Sequence, residues 1–232
     1  MRIGIIVAMD KELQQLLQLM EKPLECLQKG QSFWLGQIGD SSLIITKSGI
    51  GKVNAAYGAI NLIDNFRPDA VISTGCAGGA STNLEIRDVV VSTQICYHDA
   101  WCGQPNELGQ IQGLPAKYEA DANLVEAAKN LKGNTRIVPG LIVSGDWFVD
   151  NVEKMNGIVS AFPDAMAVDM ESAALAQICH LYKMPFLSFR VISDIPMKPN
   201  NEIDYNNFWS EVADESFGVT KELVLSIINN TN

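Results

Sequence analysis

Pro185-Phe-Leu-Ser-Phe-Arg-Val-Ile-Ser-Asp194 is the stretch whose reading decides the fold. A near-continuous apolar run of this kind is how a parallel strand buried on both faces reads in sequence. Asp194 ends the run as the strand passes into a loop. In open α/β sheets, the carboxyl end of such a strand is where ligands bind. Desolvation there raises a carboxyl pKa and makes it a usable acid near neutral pH. On position alone Asp194 could equally cap the next turn, so the other carboxylates have to decide.

Outward from this strand the elements alternate. Residues 1–9 read as a strand and Asp10 to about Met20 as an amphipathic helix. Strands are predicted near 31–38 and 42–47, and a helix over about 52–65, ended by Arg67-Pro68. Ala70–Thr74 is a strand leading into a glycine loop, Gly75–Gly79, and 88–92 is another strand. Residues 97–119 read as a long loop, a length that in compact domains is usually functional or interfacial. Helices near 121–131 and 150–161, a strand near 136–144, a helix from Met170 to about Tyr182 and a C-terminal helix from about 205 complete the pattern. The alternation predicts a single α/β domain with a mixed, largely parallel sheet covered by helices.

Composition narrows the function classes. The 232 residues are 47% hydrophobic with net charge −10 and contain no basic cluster, which disfavours nucleic acid and anionic membranes as partners. No apolar run reaches spanning length. Met1–Met9 is apolar enough to suggest a leader, but Asp10-Lys11-Glu12 follows where a small-residue cleavage site belongs, so it reads as the first strand. Five scattered cysteines without a CxxC pair fit reduced thiols in a cytoplasm. Two histidines argue against a histidine-rich zinc site, and no metal is expected.

Several segments carry polar groups at strand ends. Gly49-Ile-Gly51-Lys-Val-Asn54 opens a helix but lacks the third glycine of the dinucleotide fingerprint, and Lys52-Val53 breaks the P-loop pattern. Gly75-Cys76-Ala77-Gly78-Gly79 permits close approach and offers N–H groups to ligand oxygens. Cys76 is disfavoured as a nucleophile, because neither histidine is tied to it. Asp169 and Glu171, if extended, point to one side, although an acid at a helix start is favoured electrostatically anyway. Glu12 sits in the first turn of its helix, with the same plain alternative. Trp147 and Phe148 could stack on a base or simply pack. One crevice explains Glu12, the Gly75–Gly79 loop, Glu171 and Asp194 together.

Seven segments occur in a familiar order: Ile3–Glu12, Ser48–Ala55, Thr74–Gly79, Tyr97–Ala100, Gly140–Asp146, Ala167–Glu171 and Arg190–Asp194. On these, over nearly its whole length, the chain resembles bacterial 5′-methylthioadenosine/S-adenosylhomocysteine nucleosidases of the nucleoside phosphorylase superfamily. The resemblance implies a three-layer α/β/α fold, a homodimer, no cofactor, a place in methionine salvage, and hydrolysis of the adenine–ribose bond. It implies that Asp194, oriented by Ser193, protonates adenine N7, and that Glu12 is the base for water. Glu171 and the Met170 backbone would hold the ribose hydroxyls, Phe148 would stack on the purine and the Val149 backbone would read its edge. Met9, Ile50, Tyr205 and Phe208 would line the 5′-thioalkyl pocket, completed by a partner's 101–115 loop. Cys76, Ala77, Gly78 and Arg190 are further expected substrate contacts.

Four features depart from the family pattern: Cys76 for a usual Ser, Asp169 for a usual Glu, Arg87 for a usual Gly, and a 101–112 loop poor in aromatics. Arg87 keeps a purine nucleoside phosphorylase as the competing enzyme, because related hexameric phosphorylases use an arginine there on phosphate. A non-catalytic nucleoside-binding module is the competing class; it has no need of both an acid and a base.

Overall fold

The computed structural model describes residues 1–39, 41–198, 205, 207–208 and 213–230. In chain order the elements are β1 (Arg2–Val7), α1 (Asp10–Leu17), β2 (Glu21–Gln28), β3 (Gln31–Ile38), β4 (Ser41–Lys47), α2 (Lys52–Phe66), β5 (Ala70–Gly79), β6 (Val89–Tyr97), β7 (Tyr118–Glu119), α3 (Ala122–Lys129), β8 (Ile137–Ser144), α4 (Val152–Ala161), β9 (Ala165–Asp169), α5 (Ser172–Tyr182), β10 (Phe186–Asp194) and α6 (Ala213–Asn230). The expected C-terminal helix is present from 213, while 206 and 209–212 lie outside the described residues.

One mixed sheet runs in the order β10-β6-β8-β9-β5-β1-β4-β3-β2. β5 also pairs with β10, so β5, β10, β6, β8 and β9 close into a ring. Parallel pairing joins β4, β1, β5 and β10, the strands that carry the Glu12 turn, the glycine segment and Asp194. Antiparallel pairing takes over in the β2–β3–β4 meander and where β10 meets β6.

Alternation along β1 divides its side chains between two cores. On β1, Ile3, Ile5 and Val7 join Leu13 and Leu16 of α1, Leu124 of α3 and Leu223 of α6. Ile6 points the other way, to Leu62 of α2 and Leu175 of α5. Helices therefore cover both faces, giving the three layers. The helix ends follow local chemistry. The Asp121 carboxylate caps α3 by accepting from the Asn123 and Leu124 N–H groups. α2 stops where Arg67 turns left-handed immediately before Pro68.

Three expectations need correction. Gly75–Gly79 is not a loop: β5 runs through it, paired with β10 on one side and β9 on the other. Its amides mostly serve the ladder instead of a ligand. β9 covers Ala165–Asp169, a strand that the sequence reading does not place before the helix from Met170. β2 went unpredicted, because Glu21–Gln28 is polar, contains Pro23 and is exposed along almost its whole length. Hairpin pairing with β3 holds it, not burial.

Candidate active site

Strand β1 ends at Val7, and the chain turns into α1 so that Glu12 points back under the turn. Its carboxylate accepts the N–H groups of Ala8 and Met9, each at 2.9 Å, and of Cys76 at 3.1 Å. The bond to Met9 is half of a helix-capping arrangement, so the plain role foreseen for Glu12 is real. The Cys76 bond is not local and turns the carboxylate toward β5. Gly75 makes this possible. A Cβ there would lie 2.4 Å from Glu12 Oε1 and 2.7 Å from Arg190 Nη1, so any larger residue would push both away. Burial raises the Glu12 pKa, opposed by Arg190 and by the three backbone N–H groups.

β10 supplies the second carboxyl. Asp194 is its last residue, 5% exposed, with Ser193 Oγ 2.6 Å from its Oδ1. β9 and the start of α5 supply two more. Asp169 accepts from the Ser172 N–H at 3.2 Å and so takes the capping role that stands as the plain alternative for both acids. Glu171 is left to face the cavity, where its Oε1 accepts the Gly51 N–H at 2.9 Å. Burial and the neighbouring Asp169 push Glu171 up to about 7.

Arg190 balances this charge. Its guanidinium is wholly buried, pairs with Asp169 at 2.8 Å and donates to Ser73 Oγ at 2.7 Å and Ser172 Oγ at 3.1 Å. Further hydrogen bonds are what make a buried ion pair tolerable, and Ser73 and Ser172 supply them to Nε and Nη2. Ser144 Oγ completes the ring by donating to Asp169.

One cavity collects these groups. Glu12, Asp169, Glu171 and Asp194 line it together with Met9, Ile50, Cys76, Ala77, Gly78, Phe148, Val149, Met170, Ser193 and Tyr205. Among the described residues no lysine or arginine lines it. Phe148 and Tyr205 meet edge to face, ring centroids 5.6 Å apart. Burial, then Glu12, push the Cys76 thiol well above its ordinary pKa, so Cys76 is a neutral wall and no nucleophile.

The phosphorylase superfamily model matches residues 2–225. A 5′-methylthioadenosine/S-adenosylhomocysteine nucleosidase of Anoxybacillus flavithermus is 37% identical, with all of both chains covered. The chain belongs to this nucleosidase family. Solved relatives agree. The S. pneumoniae nucleosidase with the transition-state inhibitor MT-ImmA is 32% identical at TM-score 0.91, covering 98% of this chain and 100% of that one. The Colwellia psychrerythraea nucleosidase in complex with adenine is 35% identical at TM-score 0.90, covering 98% and 96%.

Two residues expected at a nucleosidase site stand elsewhere. Arg190 is not among the residues that line the cavity; its Nε and Nη2 are taken up by Asp169, Ser73 and Ser172. Phe208 is buried in the core that holds α1, α3 and α6 and does not line the cavity. Ala8, Trp147, Val168 and Asp169 are lining residues absent from the expected set. Trp147 and Asp169 were visible as candidates in their motifs, whereas Ala8 and Val168 are apolar and carry no sequence signal. Arg87 is exposed and also lies outside the cavity wall.

Proposed function

We propose that this chain hydrolyses the N-glycosidic bond of 5′-methylthioadenosine and S-adenosylhomocysteine, releasing adenine. The observation that carries the reading is a buried cavity lined by four carboxyl groups and, among the described residues, by no cation. Glu12, ionised in its role as base, would repel a phosphate dianion at several kcal/mol on the usual scale for close like charges. Water has no such penalty.

In this reading Asp194 protonates adenine N7 as the bond to the sugar breaks, which turns a poor leaving group into a neutral base. Ser193, 2.6 Å away, holds the carboxyl in orientation. Glu12 takes a proton from the attacking water; burial raises its basicity and three backbone N–H groups fix its direction. The negative field of Glu12 and Glu171 stabilises the oxocarbenium-like sugar. Glu171 and the Met170 backbone hold the ribose hydroxyls, Phe148 stacks on the purine and the Val149 backbone reads its edge. Met9, Ile50 and Tyr205 surround the 5′ substituent. No cofactor enters this scheme.

The rim supports an assembly of two chains. Trp101 and Leu108 on the 98–117 loop are 55% and 43% exposed, and Ile50 beside the cavity is 52% exposed. Apolar surface of this kind near a site is what a partner covers. We infer a cytoplasmic homodimer in which each loop closes the other chain's 5′ pocket, and a role in methionine salvage. Light scattering should give the mass of two chains; a fully active monomer would exclude this arrangement. For the reaction, products formed from 5′-methylthioadenosine should be adenine and 5-methylthioribose, at a rate that added phosphate does not raise. Methylthioribose 1-phosphate as the main product would instead make the chain a phosphorylase.

A further inference from the structure

Two walls of the cavity come from segments far apart in sequence. The 48–52 turn brings Ile50 and the Gly51 N–H that holds Glu171. The 145–149 segment brings Trp147, Phe148 and Val149. Both lie outside the strands, so the sheet ladder does not fix their spacing.

A third residue ties them together. Asp99, two residues beyond β6, accepts the Asp146 N–H on Oδ2 at 2.9 Å. Its oxygens also lie 2.9 and 2.8 Å from Lys52 Nζ. Asp146 returns the link, because its Oδ1 accepts the Lys52 N–H at 2.8 Å. Lys52 Nζ sits 5.5 Å from the centre of the Tyr97 ring, whose hydroxyl donates to Gln177 of α5 at 2.7 Å. The side chains of Asp99 and Lys52 are 9% and 27% exposed, so water screens this pair much less than a surface pair. Gly145 lets the parts close: a Cβ there would lie 2.4 Å from His98 Cε1 and 2.8 Å from Asp99 Cγ.

We propose that Asp99 is a positioning residue, acting through Lys52 and Asp146 to set the gap between the purine wall and the turn that holds Glu171. The proposal rests on the nucleosidase reading, which places a purine against Phe148. Stacking on a base supplies part of the binding, so a wall set at the wrong spacing loses some of that affinity. The Asp99 carboxylate serves two donors at once, so an amide there can satisfy only part of the link.

The test measures adenine binding by calorimetry and 5′-methylthioadenosine turnover in wild type, Asp99→Asn, Lys52→Gln and Lys52→Arg. Asp99→Asn and Lys52→Gln are expected to weaken adenine roughly tenfold and to lower kcat/KM mainly through KM, together with some loss of melting temperature because each leaves a part-buried partner unpaired. Lys52→Arg, which keeps the charge and the reach, is expected to restore most of the adenine affinity. A purely structural strut would lower the melting temperature alone and leave the adenine affinity of the folded protein intact, and that result overturns the proposal. Should Asp99→Asn not fold, Lys52→Gln decides by the same readout. Wild-type protein that releases no adenine refutes the nucleosidase reading, a separate outcome from unchanged adenine affinity in the variants.

Discussion

The floor and the rim of the cavity are built on opposite terms. On the floor, Glu12, Asp169, Glu171 and Asp194 are each at most 7% exposed, and Arg190, three serines and several backbone N–H groups hold them. At the rim, Ile50, Trp147 and Phe148 are 52%, 52% and 57% exposed. The floor is finished within one chain, whereas the rim still presents apolar side chains to solvent. The difference teaches where precision is needed. Proton transfer depends on donors and acceptors fixed to fractions of an ångström, while purine and thioalkyl groups need only shaped apolar surface.

The sharpest way to break this comparison is at the floor. Asp194→Asn keeps the shape of the residue and removes its proton. Turnover measured by adenine release should fall roughly 10²–10⁴-fold, the usual size of a general-acid contribution. Near-normal turnover would remove Asp194 from the mechanism and with it the claim that the floor does the chemistry.

At the rim the loss should be smaller and of another kind. Phe148→Ala should raise KM roughly tenfold or somewhat more with kcat nearly intact, since stacking on one base is worth about 1–3 kcal/mol. An equal fall in kcat would mean that the aromatic wall helps set the geometry of the reaction and is more than a surface.

The smallest expected effect is on stability. Glu171 ionises near its model value of 4.5 in the unfolded chain and at about 7 in the folded one, raised by burial and by Asp169. A raised folded pKa contributes stability that is complete below 4.5 and is lost as pH climbs through about 7. Glu171→Gln has no such titration. Without ligand, the melting temperature of wild type relative to this variant should therefore drop by a few degrees across that window. A constant difference would show that Glu171 is ordinary and that its burial has little electrostatic effect.

Legibility in the sequence follows the same division. The apolar strand before Asp194, the glycines of β5 and the carboxylates at strand ends are written as residue types at fixed spacings. The three layers and the acidic floor could be read from them. β2 could not, because its polar, exposed residues carry no alternation and only a partner strand makes them extended. Gly75–Gly79 differs from the reading for a physical reason: five small residues look like a turn, yet the strand continues through them, and Gly75 lets Glu12 and Arg190 lie against it. Arg190 was placed in the pocket because a motif gives proximity and not direction. Its partners, Ser73 on β5, Asp169 on β9 and Ser172 on α5, come from three elements, and only the folded sheet brings them together.

Ring closure among β5, β10, β6, β8 and β9 leaves β2 as the outermost strand at the other end of the sheet path. That margin is guarded by Pro23 and by left-handed Lys22, which interrupt its register and discourage strand addition by other chains. Its hairpin turns at Lys29-Gly30, both left-handed, with open space around Gly30. For protein engineering this tip is the natural port: a tag, fluorophore or inserted domain placed there would leave the strands that carry the carboxyl groups undisturbed.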